Sequence, residues 1–249
     1  MPPRVAAVND ISNPAEGLVV FEEFNNCIRF YNGTEWSVCV DGAATWEVDC
    51  GGITTVVEVE SAGYTWMDRN MGATQVATSS TDANSYGDLY QWGRCADGHQ
   101  IRTSSTTSTN ATTAVPNDGN SWDGKFITEG DSPYDWLTPQ NDNLWQGAGG
   151  TNNPCPSGFR LSTLTELNNE RLSWATNNAA GAYGSALKLT LVGYRDNANG
   201  SIPAVGDYGN YWSSTVDGIK SRYVYFYSGN AAMHLQNRAH GFAVRCLKD

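Results

Sequence analysis

The sequence predicts an α+β fold, a twisted and mostly antiparallel sheet with one or two helices and long irregular loops, preceded by a small β module. Three observations point there. Trp, Tyr and Phe make up 11% of the 249 residues, charged residues only 16%, and glycine numbers 26, a balance that favours strands and loops over helix bundles. Short β-branched and aromatic runs recur between Gly, Asn and Asp turns. A single segment carries a full set of helix signals. The length suffices for one large domain, or a medium domain with a small appendage, each with a buried core.

Residues 1–50 read as the small module. LVVF at 18–21 is followed by CIRFY at 27–31, Asn32-Gly33 and EWSVCV at 35–40. Two β runs flanking Asn-Gly read as a hairpin with a tight primed turn. Cys27 and Cys39 fall on opposite arms and could pair across it; Cys50 competes as a partner, and two buried thiols fit as well. Residues 51–249 read as one larger domain. TTVVEVE at 54–60 predicts a strand leading into YTWMDRNMGA at 64–73. The Ser/Thr tract at 103–115 predicts an exposed loop without a core of its own. Residues 116–153, rich in Asn, Asp, Gly and Trp, predict long ordered or ligand-binding loops. After Phe159-Arg160-Leu161, Thr163 with Glu166 forms a capping box. Leu164, Leu167, Arg171, Leu172 and Ala175 then recur at helical spacing until Asn177-Asn178 and Gly181 stop the helix. LKLTLVGY at 187–194, YWSST at 211–215, YVYFY at 223–227 and FAVRC at 242–246 predict four short strands.

Composition also excludes function classes. A net charge of −11 disfavours nucleic acid as a partner, because that affinity rests on Lys and Arg neutralising phosphates. No run reaches the roughly 18 apolar residues of a membrane helix, so direct membrane insertion is not expected. The N-terminus MPPRVAAVND lacks the apolar centre of a signal peptide, so the expected route outward is another one, such as assembly into a virion, unless a signal has been removed. Six cysteines without a C-x-x-C pair argue against zinc and for disulfides at an extracellular, cell-surface or virion-surface location. None of the three histidines, His99, His234 and His240, stands in a nucleophile motif, and no glycine-rich phosphate loop is present. The carboxylates read as solvated surface groups. The expectation is a protein that is not an enzyme, with no metal site and no cofactor. Asp and Asn at 117–123 and 141–143 lack EF-hand spacing, so calcium is permitted rather than indicated.

The most unusual stretch is YVYFY. Alternate residues of a strand share a face about 6.6–6.8 Å apart, so Val224 and Phe226 are expected in the core while Tyr223, Tyr225 and Tyr227 project together. Each tyrosine can bury ~150–250 Å² on contact, and three offer roughly 450–750 Å², as large as the biggest apolar patch of an ordinary monomer. Tyrosine combines contact area, a polar tip and little rotamer entropy, the logic of antibody paratopes. The alternative is that the row packs under a loop or at a subunit contact.

WMDRNMGA (66–73), GDLYQWGR (87–94), TPQNDNLWQG (138–147), NPCPSGFRLST (153–163), YWSST (211–215) and GFAVRC (241–246) together resemble the Fibrobacter succinogenes major paralogous domain, over about residues 52–249. That family is similar to the C-type lectin and formylglycine-generating-enzyme fold. Many of its members look like the variable proteins of diversity-generating retroelements. ISNPAEGLVVF and FYNGTEW resemble, less specifically, a β module found ahead of such domains in microbial and phage surface proteins.

The resemblance implies a C-type lectin-like domain whose variable region, about 207–246, is rewritten when a reverse transcriptase miscopies adenines. Varied Asn codons yield Tyr, His, Ser, Ala and Asp. The ligand-binding set it implies is Tyr223, Tyr225, Tyr227, Ala232, His234 and His240, with Tyr208 and Asn210 from the preceding loop. Met233 and Gln236 do not arise from such codons and are read as scaffold neighbours or other variation. Trp212 is read as core and Arg245 as an anchor of the terminal strand. Because first and last strands are neighbours in that fold, the implied disulfide joins Cys155 to Cys246, leaving Cys95 to pair upstream or stay free. The implied function is a receptor-like or adhesin-like binder of a protein or glycan on a cell surface, with the oligomeric state open. The alternative is a carbohydrate-binding lectin, with calcium assistance, using the loops at 117–147. Against it, the Glu-Pro-Asn and Trp-Asn-Asp calcium signatures are missing. The close cysteine pair of the enzyme relatives is missing too.

Overall fold

The computed structural model describes residues 4–5, 11–22, 27–31, 33–34, 36, 45–47, 53–116 and 120–249. The chain divides into two compact units, Met1–Trp46 and Glu47–Asp249. In the first, β1 (Arg4–Val5) runs parallel to β2 (Val19–Glu22), which pairs antiparallel with β3 (Cys27–Phe30). Beyond β3, Tyr31 and Trp36 form an antiparallel bridge across the Asn-Gly dipeptide, their rings 5.3 Å apart. Gly33 there has φ 98°, which glycine adopts without steric cost. The far arm of the expected hairpin, with Cys39, and the cysteine pairing proposed for it lie outside the described residues.

β4 (Thr45–Glu47) lies at the division and β5 (Ile53–Thr55) follows it in sequence. In the larger unit, β6 (Glu58–Ser61) and β7 (Tyr64–Met67) form a hairpin. Its turn residues Ala62 and Gly63 both have positive φ, 51° and 82°, as a primed turn requires. The sheet continues through β16 (Cys246–Lys248) to β11 (Phe159–Leu161), in the order β11-β16-β7-β6, all antiparallel. The last strand is thus held between the first long hairpin and the strand before the helix. Cys155 and Cys246 are joined in a disulfide, and Cys95 is also disulfide-bonded. Short ladders pair β8 (Tyr90–Gln91) with β15 (Gly241–Phe242), and β9 (Thr106–Thr107) with β10 (Phe126–Ile127).

The helix α1 (Leu164–Ser173) starts as the capping box requires. The Thr163 hydroxyl accepts from the Glu166 N–H, and Glu166 accepts from the Thr163 N–H. Arg160 grips the same carboxylate with two bonds of 2.9 and 2.8 Å and holds it down near pKa 2. The helix ends earlier than the spacing predicts: Trp174 is extended, Leu172 is 65% exposed and Ala175 is exposed. A second helix, α2 (Ala179–Gly184), follows, capped by Asn178. Gly181 therefore lies inside a helix instead of stopping one. It is needed because a Cβ there would stand 1.8 Å from the Thr176 carbonyl oxygen.

β12 (Gly209–Asp217), β13 (Lys220–Phe226) and β14 (Ala231–Asn237) form an antiparallel sheet. One face buries Tyr211, Val224, Phe226 and Ala231 against Leu167, Trp174, Ala182, Leu187 and Leu189. The other meets a second core of Trp92, Trp145, Phe159, Phe242 and Val244. The mixed class, the antiparallel bias, the two helices and the long loops agree with the expected α+β architecture and are consistent with a C-type lectin-like arrangement.

Three expected elements differ. LKLTLVGY is buried but not a strand, because Lys188 turns to φ 48° and the N–H groups of Leu189, Thr190 and Leu191 go to Ala182 O, Tyr211 Oη and Ser80 O instead of to one neighbour. FAVRC is split, since Gly241–Phe242 pairs with β8 while Cys246 begins β16. The Ser/Thr tract is mostly exposed, yet Ala111 is wholly buried and bridges Leu137.

Candidate binding site

Register fixes what β13 presents. Tyr223 lies opposite Trp212 on one side and His234 on the other, and Tyr225 lies between Asn210 and Ala232. Period-2 alternation puts Trp212, Tyr223, Tyr225, His234 and Gln236 on the face away from Val224 and Phe226. Over this face lies an open cleft of about 670 Å³. Tyr208, Asn210, Tyr223, Tyr225, His234 and His240 of the expected set line it, together with Tyr194, Asp196, Ala204, Gln236 and Phe242.

The rings form one connected array. Tyr227 stacks on Tyr208 at 5.2 Å and runs parallel to Tyr225 at 6.4 Å. Tyr225 stands 6.3 Å from Tyr223, which packs at 4.6 Å on Phe242. Phe242 stacks on His240 at 5.8 Å, and Tyr194 meets His240 edge-on at 5.7 Å. His234 meets Tyr223 and Tyr225 edge-on at 6.2 and 6.0 Å. Among the described residues no protein hydrogen bond reaches the hydroxyls of Tyr194, Tyr208, Tyr223, Tyr225 or Tyr227. Four phenols, Tyr194, Tyr208, Tyr223 and Tyr225, thus line the cleft with their polar tips unpaired, and Tyr227 stacks on Tyr208 beside them.

The expected outward row needs correcting. Tyr223 is only 8% exposed and forms part of the cleft floor, wedged between Trp212 and Phe242. Burial, then neighbouring Tyr225 and Tyr194, push its phenol up to about 12. Tyr225 and Tyr227 are half-buried, and Tyr208 and His234 are exposed. Asn210 is buried, its side-chain amide donating to the Gly193 carbonyl at 3.1 Å. His240 is buried too, and burial lowers its pKa; its Nδ1 lies 3.3 Å from both the Asn197 N–H and the Arg195 carbonyl. Ala232 lines a separate hollow with Met233 and α1. Gln236, set aside as scaffold, is on the cleft face two residues from His234. Only recognition of AAMHLQN as a strand would have signalled this.

Trp212 is core, its indole N–H donating to the Tyr90 carbonyl at 2.8 Å. Arg245 anchors the end of the chain by donating to Asn70 Oδ1, Met67 O and Leu187 O. Asp196 is positioned by its neighbour. Arg195 pairs by both backbone groups with Gly241, and its guanidinium stacks 4.3 Å over Phe126 while donating to Ser104 at 2.6 Å. The loop then turns on Asp196, whose Oδ1 accepts from the Ala198 N–H at 2.8 Å.

Residues 1–54 match the family model described as a phage tail-like trimerisation region. No curated protein and no solved structure matches the chain. The match is consistent with a phage-associated protein, suggests a structural or adhesin-like, virion-associated role, and implies oligomerisation in a tail-like assembly. Among the described residues no helix is long and apolar enough to cross a membrane.

Proposed function

We propose that the chain is a non-enzymatic receptor-binding component of a phage tail-like particle, and that its larger unit is a C-type lectin-like scaffold presenting the aromatic cleft to a protein on a cell surface. The observation that carries this reading is the aromatic array in which Tyr208, Tyr227, Tyr225 and Tyr223 meet ring to ring and Tyr194 joins through His240 and Phe242, while these five hydroxyls lack protein partners among the described residues. A hydroxyl that loses water without gaining a partner is costly, so such a face favours a ligand that supplies partners. It calls for no cofactor. The residue types at Tyr208, Tyr223, Tyr225, Tyr227, His234 and His240 are those that varied Asn codons yield, and we read them as one sampled set of a retroelement-diversified region. Comparing the 3′ end of the gene with neighbouring DNA tests this. A near-copy differing only at adenines is expected, and absence of any repeat beside a reverse transcriptase overturns the diversification.

A second reading has one observation of its own. Gln140, Asn141, Asp142 and Asn143 line a hollow of about 490 Å³ in the long loops, where a calcium-assisted sugar site would have to form. A glycan array with and without calcium separates the two: signal lost on changing Asn141 or Asp142, and kept on changing Tyr225, favours the lectin.

A further inference from the structure

We infer that the cleft takes a cationic side chain, an arginine or lysine carried on the protein ligand. This rests on the cleft being a binding site and adds the chemistry of what enters it.

Asp196 is the one Asp or Glu among the cleft-lining residues, and no Lys or Arg is among them. Its Oδ1 is occupied by the Ala198 N–H. Among the described residues no hydrogen bond or ion pair reaches Oδ2. Burial lowers the pKa of His240 and Lys220 acts in the same direction, against the Arg195 carbonyl and Asp196 itself, which raise it. The same cleft is lined by the rings of Tyr194, Tyr223, Tyr225 and Phe242, and the negative π faces of aromatic rings attract a cation. An unpaired carboxylate beside aromatic faces with free phenol oxygens is complementary to a guanidinium, which stacks through its plane and donates along its edge. An ammonium satisfies the same carboxylate with less ring contact. The net charge of −11 acts in the same sense at longer range by steering cations toward the surface. An anionic ligand would meet no compensating positive group in the cleft.

The test uses the full chain and three small probes, the N-acetyl amides of arginine, lysine and citrulline, titrated by ligand-observed NMR at low and high salt. Citrulline keeps the shape of arginine without its charge. Arginine amide is expected to bind more tightly than lysine amide, and citrulline amide about tenfold more weakly than arginine amide, the size of one partly desolvated charge contact. Asp196→Asn retains the Oδ1 acceptor and should abolish the gap between arginine and citrulline, with an unchanged thermal melt showing that the fold is intact. Equal binding of arginine and citrulline amides, an unaltered gap in Asp196→Asn, or no saturable binding of the cationic probes overturns the inference. Tyr225→Ala separates this failure from failure of the binding-site reading. If all probes bind alike and all weaken in Tyr225→Ala, the cleft remains a binding site and only its preference for cations falls. Cation binding indifferent to Tyr225→Ala sinks both.

Discussion

Tyr211 and Tyr225 sit one register step apart on paired strands and point to opposite faces of the same sheet. The Tyr211 hydroxyl has four engagements: it accepts from the Thr190 N–H at 2.8 Å and from Asn70 Nδ2 at 3.2 Å, donates to the Thr190 carbonyl at 3.0 Å, and lies 3.3 Å from Thr190 Oγ1. The Tyr225 hydroxyl has none. The histidines repeat the contrast. His99 is buried with both nitrogens used, Nδ1 on Asp97 at 2.6 Å and Nε2 accepting from the Gln91 N–H at 3.2 Å, whereas His234 is exposed and only its Nδ1 has a neighbour, the Leu235 carbonyl. On the core side the tyrosine hydroxyl is consumed in holding the fold, and on the cleft side it is left for something outside. For the tyrosines, the same residue type is structural or available according to which side of the pleat it occupies.

The largest expected break between the faces is Phe226→Ala. Phe226 is wholly buried, 5.5 Å from Trp174 and 5.8 Å from Tyr211, and its truncation should cost about 3–5 kcal/mol in urea unfolding. Tyr225→Ala on the open face should cost only about 1 kcal/mol; equal losses would show that both faces are structural.

His99 sharpens the contrast through pH. Burial, then the Arg94 charge, lower its pKa from 6.5 to about 4 in the folded chain, so between those values the unfolded chain binds more protons. Its contribution is fully present above pH 6.5 and is lost as pH falls toward about 4, by up to about 3 kcal/mol. Asp135, raised to about 6 by burial, acts oppositely within that window, destabilising as pH rises from about 4 to 6. The histidine term is therefore the difference between the wild-type and His99→Gln unfolding curves.

Tyr211→Phe strands the Thr190 N–H, while Asn70 Nδ2 keeps the Ser85 and Tyr86 carbonyls, and should cost about 1–3 kcal/mol, with no direct effect at the cleft. The smallest effect is Tyr225→Phe, expected within about 0.5 kcal/mol of wild type in stability while weakening ligand binding several-fold. A stability loss matching that of Tyr211→Phe would mean that the Tyr225 hydroxyl also serves the fold.

Local signals in the sequence were enough for the parts of the fold that depend on local chemistry. Thr163 and Glu166 make the capping box their spacing predicts, and YVYFY sends Val224 and Phe226 inward. Where tertiary partners decide, the pattern misled. The alternating leucines of LKLTLV suit a strand, but buried oxygens scattered over Ser80, Ala182 and Tyr211 claim their N–H groups. The cleft was half legible. Its tyrosines announce themselves by period 2, whereas Tyr194 and Asp196 reach it only because Arg195 pairs with Gly241 across 46 residues of chain, which no local pattern encodes. Tyr223 read as outward because alternation gives a direction and says nothing of what lies above it.

The bond between Cys155 and Cys246 closes a loop of sequence separation 91, and every residue lining the cleft, from Tyr194 to Phe242, lies within that loop. Closing so long a ring restricts the unfolded chain by about 4–5 kcal/mol on chain-entropy grounds. That contribution depends on loop length and is indifferent to side chains, so it stays constant whichever residues occupy the cleft. The covalent ring therefore gives substitutions on the cleft face a constant margin against unfolding, whatever side chains stand there.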